Sequence, residues 1–195
     1  MATAIETYLS SSVAVLQRML DDADLLAKVR EAADRCIEAI RGDRKVMFAG
    51  NGGSAADAQH LAGELVSRFN YDRPGMAGFA LTTDMSILTA VSNDYGYEMS
   101  FARQIEALAR PGDVLIGLST SGRSPNVLRA LEAARARGVT VIGFTGRDGG
   151  EMTALCDIEI RIPDQSTPLI QQGHMVVGHL ICALLEEAVH PRAEI

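Results

Sequence analysis

The sequence predicts an α/β fold, a three-layer sandwich in which helices cover both faces of a mostly parallel sheet. Short apolar runs of strand length alternate along the chain with longer segments in which apolar residues recur at helical spacing. The runs are nearly continuous, as in DVLIGL at Asp113–Leu118, which is typical of strands that are buried on both faces. Such alternation implies parallel strands joined by right-handed helical crossovers.

Two amphipathic helices are predicted before the first strand. Apolar side chains recur at helical spacing from Ala4 to Leu20 and again from Leu25 to Ile40, and Gly42 closes the second helix. In an alternating α/β chain these helices are an addition. We therefore expect a single domain in which residues 1–42 form a helical extension and residues 43–195 form the α/β core. The apolar faces of the extension must pack on the core or on another copy of the chain.

Five strands and the helices between them make up the predicted core. The predicted strands span Val46–Ala49, Met76–Leu81, Asp113–Leu118, Val139–Phe144 and Asp157–Ile162. One helix directly follows the turn at Gly50–Gly53, and the others span Ser86–Val91, Met99–Leu108, Pro125–Arg137 and Leu169–Val189. A polar turn is expected at Ser92–Asp94. Helix caps are expected at Ser124 and Thr167, each of which precedes a proline.

The composition argues against several classes of protein. With 195 residues, of which 47% are hydrophobic and 22% charged, the chain fits one soluble domain. A net charge of -7 argues against a large nucleic-acid surface, and no apolar run approaches the ~18 residues of a membrane span. The N-terminus lacks the cationic segment of a secretory signal, and three widely spaced cysteines indicate a reducing compartment. We expect a cytoplasmic protein without nucleic-acid or membrane partners.

Two polar loops follow predicted strands, at the edge of a parallel sheet where ligands bind. The first is Gly50–Gly53, and the second is Ser119–Ser124 (STSGRS), just before a helix N-terminus. Free N–H groups and the positive end of the helix dipole attract an anion at such a position, and the added hydroxyls suit a phosphate monoester. The alternative is that these serines are ordinary solvated turn residues or caps.

Neither loop matches a nucleotide-binding motif in full. GNGGSA resembles the G-x-G-x-x-A form of the dinucleotide fingerprint, but no strand ending in Asp or Glu follows at the usual distance of ~20 residues. The phosphate-binding pattern G-x-x-x-x-G-K-S/T is also missing from the sequence. We therefore expect the first loop to approach a small, polar, hydroxylated ligand.

Candidate chemical groups lie on two of the predicted helices. His60 and Glu64 are one turn apart on one face, a spacing that suits a metal-ligand pair or an acid–base pair. A solvated helix face often has the same spacing. On the last helix, Gln171 and His179 face one side, about 80° apart on the helical wheel. His174 lies off that stripe and is expected to be a hydrogen-bonded core histidine.

Five motifs, taken in order, resemble those of a known family. They are GNGGSAADAQH-x-x-x-E, SND, STSGRS with a following proline and asparagine, GFTGRDGGEM, and IQ-x-x-H-x-x-x-x-H. Together they resemble the bacterial phosphoheptose isomerases, which are sugar isomerase (SIS) domain proteins, over nearly the whole chain. The resemblance implies a flavodoxin-like fold and the isomerisation of D-sedoheptulose 7-phosphate to D-glycero-D-manno-heptose 7-phosphate through an enediol. It also implies a homotetramer with sites at subunit interfaces and a product used for lipopolysaccharide or other surface glycans.

The resemblance assigns roles to individual residues. One zinc ion per subunit would be held by His60, Glu64, Gln171 and His179. Glu64 would be the base and His179 the acid, but a zinc-bound glutamate is a poorer base, so the two roles of Glu64 compete and both stay open. The residues expected to contact substrate are Asn51, Gly52, Gly53, Ser54, Glu64, Asn93, Asp94, Ser119, Thr120, Ser121, Ser124 and Gln171.

A non-catalytic relative provides the alternative function. The DnaA initiator-associating protein resembles this family in fold and length but acts as a tetrameric binding protein. It lacks the glutamate one turn after the histidine and has threonine in place of the second loop glycine, whereas this chain has Glu64 and Gly53. The sequence therefore favours the enzyme. Pro168 departs from the acidic residue that some isomerases have nearby, which leaves a secondary acid there in doubt.

Overall fold

The chain forms one five-stranded sheet in which every neighbouring pair of strands is parallel, as seen in a computed structural model that describes residues 3–192. The strand order is β2-β1-β3-β4-β5, and β1 pairs with β3 from Val46 opposite Val114 onward. The strands are β1 (Val46–Gly50), β2 (Gly78–Ala80), β3 (Val114–Leu118), β4 (Thr140–Thr145) and β5 (Ile158–Arg161). The predicted α/β class is confirmed.

Helices connect and cover these strands. They are α1 (Ala4–Leu20), α2 (Ala23–Arg41), α3 (Gly53–Val66), α4 (Met85–Tyr95), α5 (Ala102–Leu108), α6 (Pro125–Ala136) and α7 (Thr167–Val189). Two short 3-10 turns span Tyr97–Met99 and Gly150–Ala154. Each strand of the core is thus followed by a helix or helical turn, as the alternating sequence pattern predicts.

Two apolar cores lie on opposite faces of the sheet, which confirms the three-layer arrangement. Because side chains alternate along a strand, Val46 and Phe48 of β1 join the core formed with α2, α3 and α7. Met47 and Ala49 join the opposite core, formed with α5 and α6. Each fully buried side chain of the size of Phe48 contributes roughly 1.5–3 kcal/mol.

The two N-terminal helices differ in how they pack. The buried residues of α2 belong to the same core as the strands, so this helix covers the sheet together with α7. Helix α1 buries only Val15 and Met19. It leaves Ile5 72% and Val13 66% exposed, and an apolar groove of about 250 Å³ lies between α1, α2 and α7.

Helix α7 packs in the core, although its composition would also suit a membrane span. By length and hydropathy it could cross a membrane, but half of its apolar stretch is buried inside the fold. Two of its glycines lie against neighbouring side chains: a Cβ at Gly173 would come within 2.7 Å of Ile162, and one at Gly178 within 2.5 Å of Leu61. Glycine at these positions lets α3 and Ile162, the residue after β5, approach the helix closely.

Some predicted boundaries are wrong. The turn expected at Ser92–Asp94 is the last part of α4, because that helix continues until Gly96, whose φ of +90° ends it. The helix expected from Met99 to Leu108 is divided into a 3-10 turn and α5. The N-cap of α7 is Ser166 rather than Thr167, and Pro168 is in the first turn.

Candidate active site

The turn between β1 and α3 needs small residues because other parts of the chain crowd it. Gly52 has a φ of +57°, a left-handed conformation that glycine adopts without strain. A Cβ at Gly53 would come within 2.5 Å of the Gln171 amide. Glycine therefore lets the first turns of α7 meet this loop, and Gln171 lies beside Gly53.

Asn51 is held in place by residues that the sequence analysis missed. Its amide Oδ1 accepts hydrogen bonds from the Tyr97 hydroxyl (2.8 Å) and from Asn126 Nδ2 (2.9 Å). Its Nδ2 donates to Asn126 Oδ1 (2.8 Å). Asn126 is only 1% exposed and also donates to Ser100 Oγ. The only sequence signal for Asn126 was its place after the serine loop and Pro125.

The serine loop, Ser119–Ser124, lies between β3 and α6. The hydroxyls of Ser119 and Ser124 lie 2.9 Å apart, and Ser121 is exposed. Gly122 has a φ of +63°, and a Cβ there would collide with the carbonyl of Gly149. Beside the loop is a cavity of about 330 Å³. Two arginines and two aspartates are among its lining residues, which are Thr120, Ser121, Arg123, Arg147, Asp148, Asp164, Gln165, Thr167 and Ile170.

The N-cap residue of α6 does not cap its own helix. Ser124 occupies this position, but its side chain makes no capping hydrogen bond, and its hydroxyl contacts Ser119 instead. Of the first-turn residues, Pro125 has no N–H and the Val127 N–H donates to Asn126 Oδ1 (3.0 Å). The Asn126 N–H and the positive end of the helix dipole therefore follow directly on the serine hydroxyls, an arrangement that suits a phosphate group.

A cluster of two histidines and a glutamate lies between α3 and α7. His60 Nε2 is 3.0 Å from His179 Nε2 and 3.2 Å from Glu64 Oε1. One possible ligand atom from each of the three residues lies within 4.8 Å of the others. The Phe69 ring lies 5.3 Å from the His179 ring, centroid to centroid. All three side chains come from one chain, so a neighbouring subunit is not needed to bring them together.

The cluster has the donor chemistry of a metal site. Two imidazole nitrogens and one carboxylate oxygen are ligand types that zinc accepts, and a catalytic zinc keeps a further position for substrate or water. The same three groups can transfer protons between neighbouring atoms of a bound molecule.

Comparisons with known proteins show the family of this chain. The sequence model of the SIS domain matches residues 7–146. The phosphoheptose isomerase of Burkholderia pseudomallei (strain K96243) is 58% identical over 94% of this chain and 95% of the relative. The chain belongs to the phosphoheptose isomerase family.

Solved structures of the phosphoheptose isomerase family have the same fold. The structure from Neisseria gonorrhoeae has a TM-score of 0.88 at 39% identity, covering 94% of this chain and 97% of that one. The structure from Francisella tularensis has a TM-score of 0.90 at 34% identity, covering 94% and 96%. The family consists of sugar isomerases, and these relatives support the enzyme rather than the non-catalytic alternative.

Two residues expected to bind substrate lie on helix α4. Asn93 and Asp94 are exposed on the last turn of α4, where Asn93 Nδ2 donates to Asp94 Oδ1 (2.8 Å). The chain then turns at Gly96, and Tyr97 reaches Asn51. Ser54, by contrast, is buried at the start of α3.

His174 is a core histidine, as predicted. Its Nε2 donates to the carbonyl of Thr145 (3.1 Å), and its ring lies against Phe144. Burial lowers the pKa of His174 to about 4, because a charged imidazole is poorly solvated inside the core. The residue is therefore neutral near pH 7 and takes no part in the cluster formed by His60, Glu64 and His179.

Proposed function

We propose that this chain converts D-sedoheptulose 7-phosphate to D-glycero-D-manno-heptose 7-phosphate, a step towards lipopolysaccharide or other surface glycans. The observation that carries the proposal is the cluster of His60, Glu64 and His179. It lies on α3, which begins at the glycine turn, and on α7, whose first turns meet that turn at Gln171. The family relatives support the same substrate class. Isomerisation needs one group that removes a carbon-bound proton and another that moves protons between oxygens.

The phosphate would be bound at the serine loop. Ser119, Thr120, Ser121 and Ser124 can donate hydroxyl hydrogen bonds, and the start of α6 supplies the Asn126 N–H and the positive end of a helix dipole. Arg123 and Arg147 line the same cavity together with Asp148 and with Asp164, which pairs with Arg18. The guanidinium groups of Arg123 and Arg147 would attract a phosphate dianion. Binding energy from this remote group would orient the carbon atoms that react.

The sugar would lie between the first loop and α7. Gly52 and Gly53 offer backbone groups, Asn51 is fixed by Asn126, and Gln171 lies beside Gly53. Ser54, Asn93 and Asp94 are the remaining proposed substrate-binding residues. Because Asn51 is already hydrogen-bonded on both sides of its amide, it would present a fixed surface to the sugar at little entropic cost.

Glu64 and His179 would carry out the proton transfers. The Glu64 carboxylate would remove the proton from the carbon next to the carbonyl, and the resulting electron pair would form the enediol double bond. His179 would donate a proton to the carbonyl oxygen and remove one from the neighbouring hydroxyl. Return of the proton to the former carbonyl carbon then completes the exchange of aldose and ketose.

We also propose one zinc ion per subunit, held by His60, Glu64, Gln171 and His179. When bound, zinc would polarise the carbonyl and stabilise the enediolate. Metal analysis of the purified protein tests this site: a His60→Ala variant that retains a full equivalent of zinc would exclude His60 as a ligand. Glu64 remains a candidate for both the ligand and the base.

The proposed assembly is a homotetramer with its sites at subunit interfaces. The exposed apolar residues of α1 and the groove between α1, α2 and α7 support it, because large apolar faces are usually covered by a partner. Light scattering should give four times the chain mass of 20.8 kDa; a monomer mass would exclude this assembly.

The proposal also covers the bounds of the domain and the cellular location of the protein. We propose one SIS domain over residues 1–195, whose first two and last three residues lie outside the described part of the chain. We also propose a cytoplasmic protein without nucleic-acid or membrane partners. Cell fractionation tests the location, and recovery of the protein with the membrane fraction would contradict it.

The activity is tested by incubating purified protein with sedoheptulose 7-phosphate and supplied zinc and detecting the aldose product. We expect Glu64→Gln and His179→Ala to lower kcat by roughly 100-fold or more, the usual contribution of a positioned acid or base. Glu132→Gln, an exposed acid paired with Arg129 on α6, is the matched control and should retain activity. A fully active Glu64→Gln would exclude Glu64 as the base, and an inactive wild type would contradict the proposed reaction.

A further inference from the structure

A buried ion pair lies between the end of α3 and the last turns of α7. Arg73 Nε is 3.2 Å from Glu186 Oε1, and their side chains are 2% and 0% exposed. Glu186 follows His179 by seven residues, two helical turns, so both project from the same stripe of α7. The ion pair therefore lies directly along the helix from one of the proposed catalytic groups.

The Arg73 guanidinium binds the last turn of α3. Its Nη2 donates to the carbonyl of Glu64 (2.7 Å), and its Nη1 donates to the carbonyl of Leu65 (2.7 Å) and, more weakly, to that of Ser67 (3.2 Å). Carbonyls at a helix C-terminus have no partner within the helix. Arg73 thus satisfies them and holds the backbone of Glu64 itself.

The Glu186 carboxylate binds the segment that follows α3. It accepts hydrogen bonds from the backbone N–H groups of Phe69 (2.8 Å) and Asn70 (2.6 Å) as well as from Arg73. Burial acts to raise its pKa, but these two N–H groups and the guanidinium outweigh burial and hold the pKa of Glu186 below its ordinary value. Phe69, fixed in this way, places its ring against that of His179.

We infer that Arg73 and Glu186 are positioning residues for the proposed reaction: the pair fixes Glu64 on α3 relative to His179 on α7. Stability alone does not explain a buried ion pair, since apolar residues of similar volume often serve as well or better. A fixed geometry does explain it, because the pair binds the backbone carbonyl of Glu64 and the backbone N–H of Phe69, whose ring packs against His179. The inference rests on the proposed function, which makes Glu64 and His179 the proton-transfer groups.

The chain offers a matched control in Asp113. This carboxylate is also fully buried, accepts hydrogen bonds from two backbone N–H groups, those of Lys45 and Arg110, and pairs with a cation, Lys45 Nζ, at 2.6 Å. It lies just before β3, at the opposite end of the sheet from the site. Asp113→Asn and Glu186→Gln thus remove the same kind of charge from the same kind of environment.

The experiment compares the two variants in the full-length protein as purified. We expect Glu186→Gln to lower kcat 10- to 100-fold while KM changes less than threefold, because displacement of a reacting group by about 1 Å can cost 100-fold in rate. Asp113→Asn should keep kcat within threefold of the wild type. Arg73→Lys keeps the charge but loses the planar fork, and we expect a loss of roughly tenfold; it takes the place of Glu186→Gln if that variant does not fold.

Histidine ring signals in nuclear magnetic resonance spectra give a readout that does not depend on the substrate. Glu186→Gln or Arg73→Lys should shift the ring signals of His60 and His179, whereas Asp113→Asn should leave them unchanged. If the wild type does not act on sedoheptulose 7-phosphate but these shifts occur, the reaction is wrong and the positioning role stands. Unshifted signals, or an equal loss of kcat in Asp113→Asn, would overturn the positioning role.

Discussion

The helices of more than ten residues begin in two different ways. In α1, α2 and α4 a side-chain oxygen accepts a hydrogen bond from a backbone N–H of the first turn. The capping residues are Thr3, Asp22 and Asp84. In α3, α6 and α7 the N-cap residue makes no such bond, although Ser124 and Ser166 are residue types that cap well. In α6 the Val127 N–H donates instead to Asn126 Oδ1, within the same turn (3.0 Å). The uncapped starts are those that border the candidate site.

This difference indicates that one group of helix starts contributes to stability and the other to ligand binding. A side-chain cap typically adds about 1 kcal/mol to stability. The uncapped helices forgo this stabilisation and leave N–H groups and the positive end of the dipole for a ligand. Ser124 illustrates the point, because its hydroxyl contacts Ser119 instead of the start of its own helix. The comparison predicts that substitutions at the two kinds of helix start affect different measurements.

The largest effect is expected in the serine loop, where the backbone conformation depends on Gly122. Gly122→Ala would place a Cβ against the carbonyl of Gly149 at a positive φ. The left-handed conformation alone costs roughly 1–2 kcal/mol, and the collision adds to it. We expect the free energy of unfolding to fall by about 3 kcal/mol or more and KM for the sugar phosphate to rise at least tenfold, as measured by urea unfolding and steady-state kinetics.

Gly138→Ala is the control for this substitution. Gly138 also has a positive φ, but its nearest neighbour would be a Pro111 side-chain atom at an ordinary 3.6 Å. We expect a loss of only about 1–2 kcal/mol, due to strain alone, with unchanged KM. An unchanged KM in Gly122→Ala would show that the loop shape does not matter for binding.

The second effect should appear in binding rather than in stability. Ser124→Ala removes one hydroxyl of the proposed phosphate loop, and we expect KM for the sugar phosphate to rise about tenfold, equivalent to about 1.4 kcal/mol. Inhibition by inorganic phosphate should weaken in parallel. The free energy of unfolding should change by less than about 1 kcal/mol, since only the hydrogen bond to Ser119 is lost. A loss of stability with unchanged KM would make Ser124 an ordinary structural residue.

The sequence predicts those parts of the molecule that depend on neighbours in the chain. The strand at Val114–Leu118 was predicted to within one residue because burial on both faces makes it continuously apolar. Helix α1 was predicted over its full length because its apolar residues recur at one period. The end of α4 was misplaced because polar residues such as Asn93 occur in helices and turns alike, and Gly96 is the true stop.

Contacts between distant parts of the chain could not be predicted from these patterns. Asn51 and Asn126 are 75 residues apart, and His60 and His179 are 119 residues apart. Spacing alone left His60 and Glu64 as a metal-ligand pair, an acid–base pair or, as is more usual, two residues of a solvated helix face. The resemblance to a known family, not periodicity, joined them to His179. Arg73 had no local signal at all. Such pairs depend on tertiary packing, and patterns within a short stretch of sequence do not reveal it.

The smallest effect is expected at a capped helix far from the serine loop. Asp22→Ala removes the carboxylate that accepts from the Leu25 N–H (3.0 Å) at the start of α2. We expect the free energy of unfolding to fall by about 1 kcal/mol, the usual contribution of such a cap, while kcat and KM stay within twofold of the wild type. Urea unfolding at a fixed protein concentration and steady-state kinetics measure the two quantities. Ser124→Ala should instead change KM and leave the free energy of unfolding nearly unchanged. If Asp22→Ala changed KM as much as Ser124→Ala does, the distinction between the two kinds of helix start would be wrong.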